Sequence, residues 1–282
     1  MLSLLRRWFK KKIAVKLPAF PRPRARSRFV VARFKDPHAE ALAKHGPRPA
    51  LGYRLYLPSG SLRRHSLPLI VMLHGCQQDP LSFAAGTRMN KWAEDGRYAV
   101  LYPEQSTRSN PMRCWNWFES ASIAGRGEAA LIARLIDQIS RRRRIDPRRV
   151  YLVGMSAGGA MACLLAVRHS RLFAACAIHS GVMYGVASSP MQAVSVMQSG
   201  PSPGSIDKGG HAYLQQDYTQ QGRFILRKIL VQGLGHAWSG GDSRYEFNDA
   251  DGPDATQLIL DFVMPHRRAA GHAAEAMTAS AV

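Results

Sequence analysis

The clearest pattern in the chain is a run of apolar segments separated by amphipathic ones. Leu67 to Leu73, reading LPLIVML, is unbroken apolar sequence of the length expected for a strand buried on both faces. Tyr98 to Tyr102, Arg149 to Val153 and Phe173 to Ile178 repeat that character in shorter form. Leu51 to Leu57 alternates apolar and other residues and predicts a half-buried strand, and Phe224 to Val231 predicts a late one. Between these runs the period changes. Glu128 to Ile139 places Leu131, Ile132, Leu135, Ile136 and Ile139 on one helical face. Pro80 to Ala93, Ala157 to Arg168 and Asp254 to Val263 predict further helices, the last with Pro253 near its start. Strands alternating with helices predict a mostly parallel sheet covered by helices on both sides.

The ends of the chain differ from this middle. Residues 1–47 are basic and Pro-rich and are read as a lead-in rather than core. Residues 48–266 form one α/β domain, and residues 267–282 form an Ala-rich tail without apolar periodicity. The 282 residues suit a single domain with tails, and 46% hydrophobic content supports a sizeable core. No apolar run reaches the ~20 residues of a membrane-spanning helix.

Charge adds one feature. The formal net charge is +20, and the ten Lys and Arg between Met1 and Val30 are accompanied by no acid. A second cluster runs from Arg141 to Arg144 and continues at Arg148 and Arg149. Such charge favours anionic surfaces and polyanions, and a solvated tail with one basic helix end is the plainer reading. No specific nucleic-acid recognition is expected. MLSLLRRWFKKKI, residues 1–13, lacks the apolar h-region and small-residue cleavage site of a secretory signal. Leu4, Leu5, Trp8 and Phe9 beside its cations fit a short membrane-surface helix. Four cysteines without a C-x-x-C pair argue against a zinc site, and neither metal nor cofactor is called for.

The candidate chemistry centres on Gly154-Met155-Ser156-Ala157-Gly158, a G-x-S-x-G sequence with an apolar strand before it and an apolar helix after it. A nucleophilic serine needs a sharp strand-to-helix turn that exposes its hydroxyl, and small flanking residues allow strand and helix to approach. The helix N-terminus then points free N–H groups at a developing oxyanion. His74-Gly75-Cys76 follows LPLIVML directly. Such a turn supplies one oxyanion N–H and the residue after the nucleophile the other, which nominates Cys76 and Ala157. His74 is assigned a structural role. Of the ten histidines, His236 stands out, because it follows the Ile229-Leu230-Val231 strand within Gly233-Leu234-Gly235-His236-Ala237-Trp238-Ser239-Gly240-Gly241. A neutral imidazole there suits the general base. His169, His179 and His211 read as structural.

These segments resemble the poly(3-hydroxybutyrate) depolymerase family of esterases, of the short-chain polyhydroxyalkanoate type, related to feruloyl and acetylxylan esterases. The resemblance rests on LPLIVMLHGCQQDP, CWNWF, IDPRRVYLVGMSAGGAMA, GLGHAWSGG and DGPDAT, spread from Leu51 to Pro265. It implies an α/β-hydrolase fold and hydrolysis of short hydroxyacyl esters, with Ser156 and His236 catalytic and Cys76 and Ala157 as oxyanion donors. It implies that an ester or polyester is the substrate, that Trp115, Trp117 and Trp238 line the substrate cleft, and that Cys76 and Cys114 form a disulfide. Core packing is an equal reading for each tryptophan. The resemblance also implies an extracellular or secreted setting, which the N-terminal sequence does not support.

One part of the family pattern is missing. The acid that orients the imidazole follows an apolar strand in the family, and the chain instead runs from Met197-Gln198-Ser199-Gly200 into a Pro/Gly/Ser stretch around Asp207. Between Ser156 and His236 the only carboxylates are Asp207 and Asp217; Asp207 is the nominee for the acid and Asp217 is read as solvated. Asp242, Asp249, Asp251 and Asp254 are assigned to turns and a helix start. Two readings therefore stand: an active serine esterase, and a catalytically degenerate hydrolase that is a binding protein or a truncated product. A surface binder using the basic lead-in is compatible with either.

Overall fold

The computed structural model describes residues 26–36, 50–61, 66–181, 211–220 and 223–269. Asp207, nominated for the acid, lies outside them, as does the basic stretch from Met1 to Ala25.

The centre is a six-stranded sheet in the order β1-β2-β4-β3-β5-β6. Its strands are β1 (Arg28–Lys35), β2 (Ala50–Leu57), β3 (Leu67–Leu73), β4 (Ala99–Glu104), β5 (Ile145–Met155) and β6 (Ala175–His179). β2 is antiparallel to β1 and β4, while β4, β3, β5 and β6 run parallel. All seven residues of β3 are buried, as expected for a central strand with helices on both faces. On one face pack α4 (Gly127–Arg142) and α5 (Ala157–Arg168), enclosing Leu131, Ile132, Leu135, Ile136, Met161 and Leu165 against the sheet. On the other lie α1 (Pro80–Gly86), α2 (Met89–Gly96) and α6 (Ala255–Val263), around Ile70, Met72, Phe83, Tyr151, Val153 and Leu260. A short helix, α3 (Ser120–Ile123), leads into α4. This is the α/β-hydrolase fold.

Four sequence expectations are corrected. First, the lead-in does not stay outside the core: β1 falls within residues 1–47 and buries Phe34. Its other positions are partly or fully exposed, which hides the strand among the cations. Second, the single helix expected over Pro80 to Ala93 is two, because Arg88 adopts φ 54° and breaks the run. Third, the late strand does not extend the sheet. β8 (Arg223–Val231) pairs antiparallel with β7 (Tyr213–Gln220) as a separate ribbon. Ile225, Leu226 and Leu230 are exposed there, although the sequence reads as a buried strand. Among the described residues β6 therefore forms the sheet's outer edge. Fourth, among the described residues Trp115, Trp117 and Trp238 are buried in the core, the packing alternative given for each.

Candidate active site

β5 ends at Met155 and α5 begins at Ala157, so Ser156 occupies the turn between them with φ 55° and ψ −122°. A non-glycine residue at positive φ is strained, and it persists only when its surroundings over-determine it. Here the Ser156 N–H donates to the His179 carbonyl at 2.9 Å, and its carbonyl accepts from Ala160. The flanking glycines explain the close crossing. A Cβ at Gly154 would collide with the Gly158 carbonyl, and a Cβ at Gly158 with the carbonyls of Leu73 and His74. The first turn of α5 thus lies directly on the end of β3.

That packing puts the His74-Gly75-Cys76 turn beside Ser156. A Cβ at Gly75 would stand 3.4 Å from the Ser156 Cβ. The turn is held from several sides. The Gly75 N–H donates to Gln78 Oε1 at 2.8 Å, and Gln77 N–H donates to the Met112 carbonyl at 2.7 Å. His74 is fully buried; its Nε2 accepts from the Gln105 N–H at 3.2 Å, so the proton resides on Nδ1, which donates to the Gly75 carbonyl at 2.7 Å. Burial pushes the His74 pKa down to about 4, keeping the ring neutral. A disulfide joins Cys76 to Cys114, as the resemblance implied; Cys163 and Cys176 are free thiols. The Trp115 indole N–H donates to the His74 carbonyl at 3.0 Å.

Behind the turn sits a carboxyl that sequence reasoning missed. Glu128, in the first turn of α4, accepts from the Gln105 side-chain amide at 2.6 Å and from the Asn116 N–H at 2.7 Å. The same Gln105 amide donates to the Cys114 carbonyl at 3.1 Å. Burial is the largest influence on Glu128 and raises its pKa to about 7, against the lowering effect of both hydrogen bonds; the nearby Glu119 charge adds to the rise. The sequence signal is slight: one acid at the start of an otherwise apolar helix face.

His236 arrives from the loop after β8. Its Nε2 lies 2.9 Å from the Ser156 Oγ. The loop is fastened at Trp238 and Ser239, residues of a two-residue strand, β9 (Trp238–Ser239), paired with β10 (Asn248–Asp249). Trp238 donates its indole N–H to Thr256 Oγ1 at 3.1 Å and stacks on the His179 ring, with centroids 4.7 Å apart and planes 16° apart. His179 Nε2 accepts from the Ser239 N–H at 3.4 Å. His179 is therefore a structural clamp between β6 and the His236 loop. Burial, then the proximity of His236, lowers its pKa to about 4.

No carboxylate among the described residues bonds to the outer nitrogen of His236. Four of the carboxylates considered from sequence are engaged elsewhere. Asp217 pairs with Arg227 on the β7–β8 ribbon, and Asp242 with Arg244. Asp249 faces His211, and its Oδ1 accepts the Asp251 N–H. Asp254 caps α6 through the Gln257 N–H. Burial lowers the His236 pKa, and no carboxylate among the described residues opposes it.

The family model described as esterase PHB depolymerase matches residues 51–209. The chain belongs to that family. Among curated relatives of this PHB depolymerase family member, the poly(3-hydroxyalkanoate) depolymerase C of Paucimonas lemoignei is 34% identical over 166 residues, 56% of this chain and 39% of that protein. The feruloyl esterase B of Neurospora crassa is 33% identical over 119 residues, 41% of this chain and 39% of that protein. The chain thus spans about two-fifths of the length of these relatives. Among solved structures, the acetyl xylan esterase from Aspergillus awamori aligns with TM-score 0.48 and 21% identity, covering 58% of this chain and 56% of that one.

Proposed function

We propose that the protein is a carboxylic ester hydrolase acting through an acyl intermediate on Ser156, with short-chain hydroxyalkanoate esters as its substrates. The observation that carries this reading is the 2.9 Å approach of His236 Nε2 to the Ser156 Oγ at a strained strand-to-helix turn. In the proposed sequence the Ser156 Oγ attacks the ester carbonyl carbon while His236 Nε2 takes its proton. The oxyanion accepts hydrogen bonds from the Cys76 and Ala157 N–H groups, which lie on the turn packed against Ser156 and at the start of α5. Collapse expels the alcohol, which takes its proton from His236. Water, deprotonated by the same ring, then releases the acid and regenerates Ser156. The substrate class is supported by family membership and by the name of the Paucimonas relative. Because the tryptophans are core, the reading assigns them to support of the site: Trp115 holds the His74 carbonyl and Trp238 anchors the His236 loop.

A second reading is favoured by one observation, the lack of a carboxylate on His236 among the described residues: a hydrolase scaffold with little or no turnover. Loss of the acid from such a triad lowers turnover by roughly 10⁴, leaving the contribution of the oxyanion donors and binding. Hydrolysis of p-nitrophenyl butyrate and of 3-hydroxybutyrate oligomers by the protein and its Ser156→Ala variant separates the readings. Turnover that disappears in the variant supports the esterase. Turnover equal in both, or absent from both, defeats it.

A further inference from the structure

The two ends of the sheet carry different chemistry. Ser156 and His236 lie at the ends toward which β3, β4 and β5 run, whereas the first residues of those strands define the opposite pole. Leu67 pairs with Ile145 there, and Tyr56 with Val100. β3 runs from one pole to the other in seven residues, pairing with Ile145 of β5 at one end and Gly154 at the other, so at ~3.3 Å per residue the poles are separated by roughly 20 Å.

The far pole is an arginine surface. Helix α4 ends in Arg141 and Arg142, Arg143 is its C-cap, and Arg144 precedes β5. The segment after α6 folds back onto this end, where the Arg268 N–H donates to the Arg148 carbonyl at 3.1 Å and Arg267 is exposed. Arg28, the first residue of β1, opposes Leu57 at the same end. Of the acids at this edge, Asp137 pairs with Arg141 and Asp146 with Arg149. Glu94, near the end of α2 just before β4, accepts from the Tyr56 hydroxyl at 2.7 Å and the Ser59 N–H at 3.0 Å, and Asp95 stands beside it. Arg142, Arg143 and Arg144 are exposed and have no ion pair among the described residues. Clustered unpaired arginines repel one another and are relieved by an anionic partner.

We propose that this pole is a docking surface for an anionic lipid bilayer, with the Ser156 site facing away from it. The partner class is chosen by two features. Among the described residues the pole is made by strand starts and a helix end, and its exposed residues 141–144 and 267 are all arginines, with no aromatic ring among them to stack on a base as single-strand binders do. The chain that enters β1 at this same pole carries Leu4, Leu5, Trp8 and Phe9 interleaved with Arg6, Arg7 and Lys10 to Lys12, a composition suited to the boundary between headgroups and acyl chains. The surface is separate from the proposed hydrolase site and does not depend on it. At ~8 Å screening length in physiological salt, its field does not reach Ser156.

The test is co-sedimentation of the full chain with phosphatidylcholine vesicles, with and without about 30% phosphatidylserine, at physiological salt. Binding is expected only with phosphatidylserine. A variant carrying Arg142→Gln, Arg143→Gln and Arg267→Gln should bind more weakly by about fivefold per cation, on the order of 100-fold in all. The matching Lys variant at the same three positions should bind as the wild type does, and circular dichroism should be unchanged in both. Equal binding by the Gln variant and the wild type would overturn the proposal, as would equal loss in the Gln and Lys variants. Loss of binding only when Arg6, Arg7 and Lys10 to Lys12 are changed to Gln would move the surface off the folded domain. Tighter binding to duplex DNA than to the vesicles, lost in the same Gln variant, would assign the pole to nucleic acid instead.

Discussion

Replacing Glu128 with Gln is predicted to change the pH dependence of stability rather than its level alone. Glu128 braces Gln105 and Asn116, and through Gln105 the Cys114 loop disulfide-linked to the His74-Gly75-Cys76 turn. Its pKa rises from 4.5 in the unfolded chain to about 7 in the fold. The folded protein therefore holds this proton more tightly than the unfolded one. The contribution is fully present below pH 4.5 and is lost as pH rises through about 7. At about 1.4 kcal/mol per tenfold change in proton affinity, the displacement amounts to about 3 kcal/mol. That is a large share of the 5–15 kcal/mol by which domains are typically stable. Gln at this position cannot ionise. Guanidinium unfolding of both proteins between about pH 4.5 and 8.5 isolates the effect, since every other titrating group cancels in the difference. Wild-type stability should fall relative to Glu128→Gln by about 3 kcal/mol, nearly all of it between pH 4.5 and about 7 and half of it lost midway between those values, with a plateau above. A difference that stays constant with pH would show that the carboxyl is not desolvated as described.

Other perturbations probe the neighbouring parts. Removing the Cys76–Cys114 disulfide by a double Ser substitution opens a loop with sequence separation 38 and should cost about 4 kcal/mol on the chain-entropy estimate, read as a lower denaturant midpoint; an unchanged midpoint contradicts it. Gly158→Ala drives a methyl into the Leu73 and His74 carbonyls, and since backbone cannot yield cheaply it should cost at least about 3 kcal/mol, measured by thermal unfolding. If the esterase reading holds, the acid limb of kcat/KM should lie below pH 6.5, because burial favours the neutral His236 ring that acts as base. A limb above 6.5 would instead reveal a carboxylate on the outer nitrogen, and Asp207→Asn would then test the nominated acid.

Much of this architecture was legible from local pattern. LPLIVML and Ala157 to Arg168 coincide with β3 and α5 residue for residue, because a doubly buried strand and a helix leaving a glycine-flanked turn each carry a strong local signal. β1 was not legible, since an edge strand that buries chiefly Phe34 can carry arginines at its other positions. β8 misled in the opposite sense: its apolar residues read as interior, yet it pairs as an exposed ribbon, and nothing local distinguishes the two. The meeting of Ser156 and His236 followed from the order of motifs along the chain. The interior position of the tryptophans did not, since an apolar ring suits a cleft and a core equally. The Glu128 brace depends on three segments distant in sequence, and no period or motif marks it.

The most direct test of the account is covalent labelling with a fluorophosphonate, followed by peptide mapping. Ser156 should carry the adduct, and His236→Ala should slow its formation by orders of magnitude while circular dichroism stays unchanged. An adduct on another residue, or labelling of the His236→Ala protein at the wild-type rate, would contradict the claim that these two side chains form one reactive unit.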